Sequence, residues 1–197
     1  MIQTIIFDLG GVLIKWDPKL LYRKIFTDEK EMNTFLNQVC TMDWNEQQDA
    51  GRTWQEGIAE LTPKYPEYET EINAYFERWP EMLGGAIDET VDLLKKLKAD
   101  NKFRLYALTN WSAETFPFAL EQFDFLQLFE GILVSGEEKL KKPDPRIYQL
   151  LFSRYNIDPA TALFIDDSLR NIKAAEQVGL QVHHFTSPQR LKAELEF

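Results

Sequence analysis

An alternation of short apolar segments with helical stripes is the feature that most constrains the fold of this chain. After about residue 84, four apolar segments have the length and composition of buried strands, and residues at helical spacing separate them. These predicted strands are residues 103–108, 131–134, 162–165 and 182–185. Residues 2–7, mostly apolar and β-branched, form a further predicted strand. Strands that alternate with helices favour an α/β fold, a Rossmann-like parallel sheet with helices on both faces.

The segment between the first strand and this pattern carries only helical signals. Apolar residues recur at i, i+3, i+4 and i+7 from Met32 and from Ile72, and a shorter stripe begins at Trp54. We therefore predict an inserted α-helical cap of three or four helices. Its predicted extent is residues 16–83, and residues 1–15 and 84–197 form the predicted core domain.

Charge and composition narrow the expected partners. The chain has 22 basic and 32 acidic side chains and a formal net charge of −10, so we expect no nucleic-acid partner. Its apolar runs are far shorter than a membrane span, and we expect no membrane partner. The first residues lack the basic region of a secretory signal, and Cys40 is the only cysteine. Both features favour a cytoplasmic location.

Polar residues follow four of the predicted strands, and they are of kinds that bind metal and phosphate. They are Asp8, Thr109 with Asn110, Lys142, and Asp166 with Asp167. Because the carboxyl ends of parallel strands meet at one edge, we expect these side chains to form one site. Three carboxylates in one place repel each other unless a cation intervenes. Oxygen ligands without histidine or cysteine suit Mg²⁺, which also binds substrate phosphate.

These residues stand in four motifs that resemble those of the haloacid dehalogenase-like hydrolase superfamily. The motifs are FDLGGVL at 7–13, LTN at 108–110, KPDP at 142–145 and FIDDS at 164–168. Their order and spacing match, and they span nearly the whole chain. Within the superfamily, the sequence is similar to small bacterial phosphatases that act on sugar phosphates such as glucose 1-phosphate. The resemblance implies a Mg²⁺-dependent phosphatase of a small phosphorylated metabolite, with a helical cap.

The resemblance also implies a role for each matching residue. Asp8 would be the nucleophile and would form an aspartyl-phosphate. Thr109 and Asn110 would hold the phosphoryl group, and Lys142 would offset the charge of the nucleophile and of the transferring oxygens. The implied metal ligands are Asp8, the backbone carbonyl of Gly10, Asp166 and Asp167. Which of the last two binds the metal directly stays open.

Gly10 departs from the family pattern. Most phosphatases of the superfamily carry a second aspartate at this position, and it acts as general acid and base. One interpretation is a substrate with a good leaving group, such as an anomeric sugar hydroxyl; another is weak or lost phosphoryl transfer. We favour the first because the other ligands remain. The alternatives are a haloacid dehalogenase, which needs neither the acid nor Mg²⁺, and a non-catalytic metabolite-binding relative.

Outside these motifs, the sequence suggests few functional residues. Trp16 and Trp44 are candidates to line a substrate pocket, although most cap tryptophans are expected in its core. The acidic residues Glu46, Asp49, Glu56 and Glu60 favour a solvated face. His183 and His184 fall in the last predicted strand and receive no role.

Overall fold

The computed structural model describes residues 1–195 and contains one large sheet and one small sheet. The strands are β1 (Thr4–Phe7), β2 (Ile14–Trp16), β3 (Leu83–Ala86), β4 (Arg104–Thr109), β5 (Gly131–Val134), β6 (Ala162–Asp166) and β7 (Gln181–His184). The large sheet has the order β5-β4-β1-β6-β7, and every neighbouring pair is parallel. The strand order reverses beside β1, so the carboxyl end of β1 is the switch point where ligands bind in such sheets.

Helices of the core flank this sheet on both faces, and five further helices lie between β2 and β3 in the sequence. Within residues 1–195 they are α1 (Lys19–Tyr22), α2 (Glu29–Gln38), α3 (Met42–Asp49), α4 (Trp54–Leu61), α5 (Glu69–Glu77), α6 (Asp88–Asp100), α7 (Phe116–Gln122), α8 (Ser135–Glu138), α9 (Pro145–Tyr155), α10 (Leu169–Gln177) and α11 (Pro188–Glu194). Ile5 and Phe7 belong to one buried cluster, whereas Ile6 packs in a second cluster with Ile147 and Ile172. Alternation along β1 thus fills two core layers, and the predicted Rossmann-like α/β fold is confirmed. None of the helices in the described range is long and apolar enough to cross a membrane.

Strands β2 and β3 form an antiparallel ribbon, and helices α1–α5 lie between these two strands in the sequence. The predicted boundaries of the cap, at 16 and 83, fall inside this ribbon, and the division into core and cap remains our proposal. The ribbon is not predictable from the sequence pattern, because Gly84 and Gly85 are unusual strand residues. A Cβ atom at Gly84 would lie 2.9 Å from Cβ of Lys15, so glycine permits the close approach of the two strands.

Trp54 is central to the packing of the cap and also contacts the core. It is 1% exposed, and its ring stacks on Tyr75 and Phe76 at centroid distances of 5.4 and 5.6 Å. Its indole Nε1 donates a hydrogen bond of 3.0 Å to Oγ of Ser112, in the segment after β4. Trp54 therefore contributes to the apolar core and to the attachment of the cap at once.

Replacement of Trp54 by alanine should lower the free energy of unfolding by about 3–5 kcal/mol, because it leaves a large cavity and removes the hydrogen bond to Ser112. Denaturant titration measures this change. Leu120→Ala is the matched control, since Leu120 is 48% exposed on α7, and its effect should stay within about 0.5 kcal/mol. Equal losses in the two variants would contradict the central position of Trp54.

Candidate active site

Three carboxylates meet at the carboxyl edge of the large sheet. Asp8 follows β1, Asp166 ends β6, and Asp167 follows it. One oxygen from each carboxylate can be chosen so that all three lie within 4.8 Å of one another. Parallel pairing of β1 with β6 produces this arrangement, because it aligns the ends of the two strands.

The Lys142 ammonium group lies between two of these carboxylates and is fully buried. Its Nζ atom is 2.9 Å from Oδ2 of Asp8 and 2.7 Å from Oδ2 of Asp166. It also donates a hydrogen bond of 2.9 Å to the carbonyl of Leu108 in β4. An ammonium group has three protons, so these contacts satisfy it completely. Lys142 thereby connects three neighbouring strands of the sheet at the site.

Asn110 holds the backbone of Lys142 in place. Its Oδ1 accepts a hydrogen bond of 2.8 Å from the Lys142 N–H, and its Nδ2 donates one of 2.9 Å to the Lys142 carbonyl. The side chain of Asn110 is therefore engaged in positioning the lysine. Asn110 also lines the cavity described below, and its Nδ2 has a second proton, so its expected contact with the phosphoryl group stays a prediction.

Thr109, the last residue of β4, is 1% exposed. Its Oγ1 is buried and has no hydrogen-bond partner among residues 1–195. A buried hydroxyl without a partner costs free energy, and a phosphate oxygen would satisfy it. Thr109 does not line the cavity described below, and its expected contact with the phosphoryl group stays a prediction.

The charge of the cluster is unbalanced in a way that a cation would correct. Burial, together with Asp166 and Asp167, raises the pKa of Asp8 well above its usual range, although Lys142 opposes this. Burial and Asp166 also raise the pKa of Asp167. Lys142 offsets only one of three negative charges. The all-oxygen donor set fits Mg²⁺, which would stabilise the ionised carboxylates.

Asp166 and Asp167 differ in how much of each carboxylate is available. Asp166 is fully buried, and besides Lys142 it accepts hydrogen bonds from the Ser168 N–H at 2.7 Å and from Asn171 Nδ2. Asp167 is exposed toward the cavity. The structure thus favours Asp167 as the direct metal ligand. His184, to which the sequence assigned no role, lies with Nε2 3.0 Å from the Asp167 carbonyl oxygen.

A cavity of about 200 Å³ lies in front of Asp8, between the core and helix α3. Trp16 is in its wall, as expected. Trp44 is not among its lining residues, and its expected contact with substrate is not supported. The Trp44 ring packs instead in the cap, 5.6 Å from Trp54, and its Nε1 donates a hydrogen bond of 3.1 Å to the carbonyl of Gly57.

Two acidic residues of α3 also line this cavity, contrary to the solvated face expected from the sequence. Glu46 and Asp49 both face it, whereas Glu56 and Glu60 are exposed. Glu46 forms ion pairs with Lys141 and with Arg170, both on the core side of the cavity. The spacing of three residues, which places Glu46 and Asp49 on one side of a helix, was the available sequence signal.

The two glycines after Asp8 occupy different environments. Gly11 has a φ of +73°, and a Cβ atom there would lie 2.1 Å from Oδ2 of Asp167. Gly10 has no heavy atom within 4 Å of its Cβ position and lines the cavity. Gly11 therefore gives Asp167 its space, and Gly10 leaves open space beside the reactive carboxylate.

The fold and the site together define a class of protein. It is an α/β protein with a Rossmann-like sheet, whose carboxylate cluster and buried lysine lie at the switch point where such sheets bind ligands. Residues 2–179 match the haloacid dehalogenase-like hydrolase family, and the chain belongs to this family.

Comparison with individual proteins specifies this class further. The chain is 30% identical to a sesquiterpene phosphatase of Aspergillus oryzae, over 93% of this chain and 90% of that protein. It is 22% identical to a phosphorylated carbohydrates phosphatase of Thermotoga maritima, over 91% of this chain and 82% of that protein. A HAD family enzyme of Bacteroides thetaiotaomicron, solved with magnesium and inorganic phosphate, is 26% identical. The superposition covers 94% of this chain and 95% of the Bacteroides chain, with a TM-score of 0.71. The predicted class, phosphoric monoester hydrolase, is confirmed.

Gly11→Ala should weaken Mg²⁺ binding by about 10–100-fold, because the new methyl group forces Asp167 out of position. Titration calorimetry with Mg²⁺ measures the affinity. Gly179→Ala is the matched control: Gly179 has a φ of +92°, but a Cβ there would meet no atom closer than 3.9 Å.

Both variants should lose about 1–2 kcal/mol of stability, since both place a side chain in the left-handed region. Only Gly11→Ala should lose metal affinity. Equal Mg²⁺ affinity in the two variants would show that Asp167 does not bind the metal.

Proposed function

We propose that this protein is a Mg²⁺-dependent phosphatase that hydrolyses a small phosphorylated metabolite, a sugar phosphate, through an aspartyl-phosphate on Asp8. The hydrogen bonding of Asp8 carries the proposal. Its Oδ1 accepts a hydrogen bond of 2.7 Å from the Leu9 N–H, and its Oδ2 contacts Lys142 at 2.9 Å. The carboxylate is thus held rigidly at the cavity while remaining partly exposed to it.

In the proposed reaction, an Asp8 oxygen attacks phosphorus and the bond from phosphorus to the ester oxygen breaks. Water then attacks the phospho-Asp8 group and restores the carboxylate. Lys142 stabilises the charge on Asp8 and on the transferring oxygens, and the Thr109 hydroxyl donates a hydrogen bond to the phosphoryl group. Asp8, Asp167 and the Gly10 carbonyl would hold Mg²⁺, and the bound ion would neutralise charge on the phosphoryl oxygens.

The cavity supports a small, hydroxylated substrate. Its volume of about 200 Å³ is below the range typical of sites for drug-sized ligands, about 300–1,000 Å³. Trp16 and Trp79 offer flat apolar walls, and Asn45 and Arg170 offer hydrogen-bonding groups. This mixture suits a sugar ring, whose faces are apolar and whose edge is hydroxylated. The carbohydrate phosphatase of Thermotoga maritima supports the same substrate class.

The charge of the site favours phosphoryl transfer over the dehalogenase alternative. A dehalogenase needs no metal, and Asp167 would then stand beside Asp166 without a compensating cation. A metal-dependent enzyme uses both carboxylates, because their charge attracts the ion.

A screen over a panel of phosphorylated metabolites tests the proposal. We expect phosphate release that requires Mg²⁺, stops with EDTA and falls by at least about 10³-fold in Asp8→Asn, which removes the nucleophile. Released inorganic phosphate is the readout.

Two other outcomes would replace this function. Chloride release from a 2-haloacid in the presence of EDTA would identify a dehalogenase. Mg²⁺-dependent binding of a metabolite without hydrolysis would identify a non-catalytic relative.

A further inference from the structure

The core side of the cavity offers no side chain at Gly10 to protonate a leaving group. Gly10 faces open space, and the Lys142 protons are all engaged by Asp8, Asp166 and Leu108. The cap, however, contributes a carboxyl group to the same cavity. Asp49, the last residue of α3, lines it together with Asp8 and Gly10.

We propose that Asp49 is the general acid and base of the phosphatase reaction, provided by the cap in place of a group at Gly10. This inference rests on the proposed phosphatase function and specifies the residue that moves the proton.

Asp49 is tied to the loop that carries the phosphate-binding residues. The Trp111 N–H donates a hydrogen bond of 2.9 Å to Oγ of Ser135, and that hydroxyl donates in turn to the Asp49 carbonyl. Within α3, Oδ2 of Asp49 accepts a hydrogen bond of 3.4 Å from Asn45 Nδ2. Because Trp111 follows Asn110 directly, the end of α3 is held next to the expected phosphoryl site.

The surroundings of Asp49 suit a group that both gives and takes a proton. Burial, with the nearby Glu46 carboxylate, raises the pKa of Asp49 to about 7, and Lys141 opposes this. Catalytic acids and bases work best with a pKa near the operating pH.

Glu46 itself is less suited to proton transfer. Burial works against its charge, but hydrogen bonds from Arg170 and Lys141 lower its pKa. Glu46 therefore stays ionised and paired, and it acts on the neighbouring Asp49 through its charge. The two carboxylates of α3 thus have different roles that follow from their partners.

The proton balance closes over the two steps. When Asp8 attacks phosphorus and the ester bond breaks, the leaving oxygen takes the proton of Asp49 and departs as an alcohol. When water attacks phospho-Asp8, its proton passes to the Asp49 carboxylate as the bond from phosphorus to Asp8 breaks. The products are an alcohol and inorganic phosphate, and both aspartates return to their starting states.

Asp49→Asn tests the proposal with three phosphate esters that differ in their leaving groups. A general acid matters most for glucose 6-phosphate, whose leaving group is an ordinary alkoxide. It matters less for glucose 1-phosphate and least for p-nitrophenyl phosphate, because their leaving groups are more acidic. In the variant, kcat/KM for glucose 6-phosphate should fall by about 10²–10⁴-fold. For p-nitrophenyl phosphate, kcat/KM should stay within about threefold of the native value. Asp43→Asn, an exposed carboxylate of the same helix, is the matched control and should change neither.

The pH dependence provides a readout that a purely structural role would not change. For glucose 6-phosphate, kcat/KM of the native enzyme should fall as the pH rises through about 7, because Asp49 must be protonated in the free enzyme. Asp49→Asn should lose this alkaline limb. Glu46→Gln should move it to lower pH, since removal of the Glu46 charge lowers the pKa of Asp49.

The outcomes separate this proposal from the proposed function. Three results would each overturn the role of Asp49. Asp49→Asn could lower kcat/KM equally on all three esters, or it could keep the alkaline limb of the pH profile. Glu46→Gln could leave that limb at the same pH. A native enzyme that hydrolyses p-nitrophenyl phosphate but neither sugar phosphate would overturn this role as well. Failure of the phosphatase function itself looks different, because the native enzyme would then hydrolyse none of the three esters with Mg²⁺.

Discussion

The ion pairs of the buried Lys142 are the interaction on which the site depends. This ammonium group joins Asp8 after β1, Asp166 at the end of β6 and the Leu108 carbonyl in β4, the three central strands of the sheet. Two carboxylates at this depth would be costly without it, and the lysine would be equally costly without them. Its position also leaves Asp167 available at the cavity, so the same contacts that stabilise the edge of the sheet prepare it for a metal ion.

The cap completes the site from the other side of the cavity. The Glu46 ion pairs with Lys141 and Arg170, and the bond of Trp54 to Ser112, hold the cap against the core. The core therefore provides the reacting carboxylate, and the cap provides the wall around the leaving group. A general acid in the cap would join substrate enclosure to proton transfer, because both would need the same position of α3.

Much of this arrangement was predictable from local pattern. Short apolar runs of buried strands, helical stripes and polar residues at strand ends are local signals, and the parallel sheet brings the strand ends to one edge. The ribbon of β2 and β3 was missed because Gly84 and Gly85 obscure the strand pattern. The short helix α8 was missed because four residues are too few to show a period. Trp44 was a candidate for the pocket as well as for the cap core, because its residue type suits either a core or a wall.

By itself, the sequence determined the α/β class, the order of the motifs and the chemical types that meet at the edge of the sheet, since these follow from neighbours along the chain. Only the tertiary structure decided which groups are free to act. The Trp44 ring packs in the cap core, and Asp49 lines the cavity. The Asp166 carboxylate is occupied by Lys142 and by hydrogen bonds, whereas Asp167 is exposed to the cavity. The physical reason is that the direction of a helix face and the partners of a carboxylate depend on packing between segments distant in sequence. The residue type alone does not encode that packing.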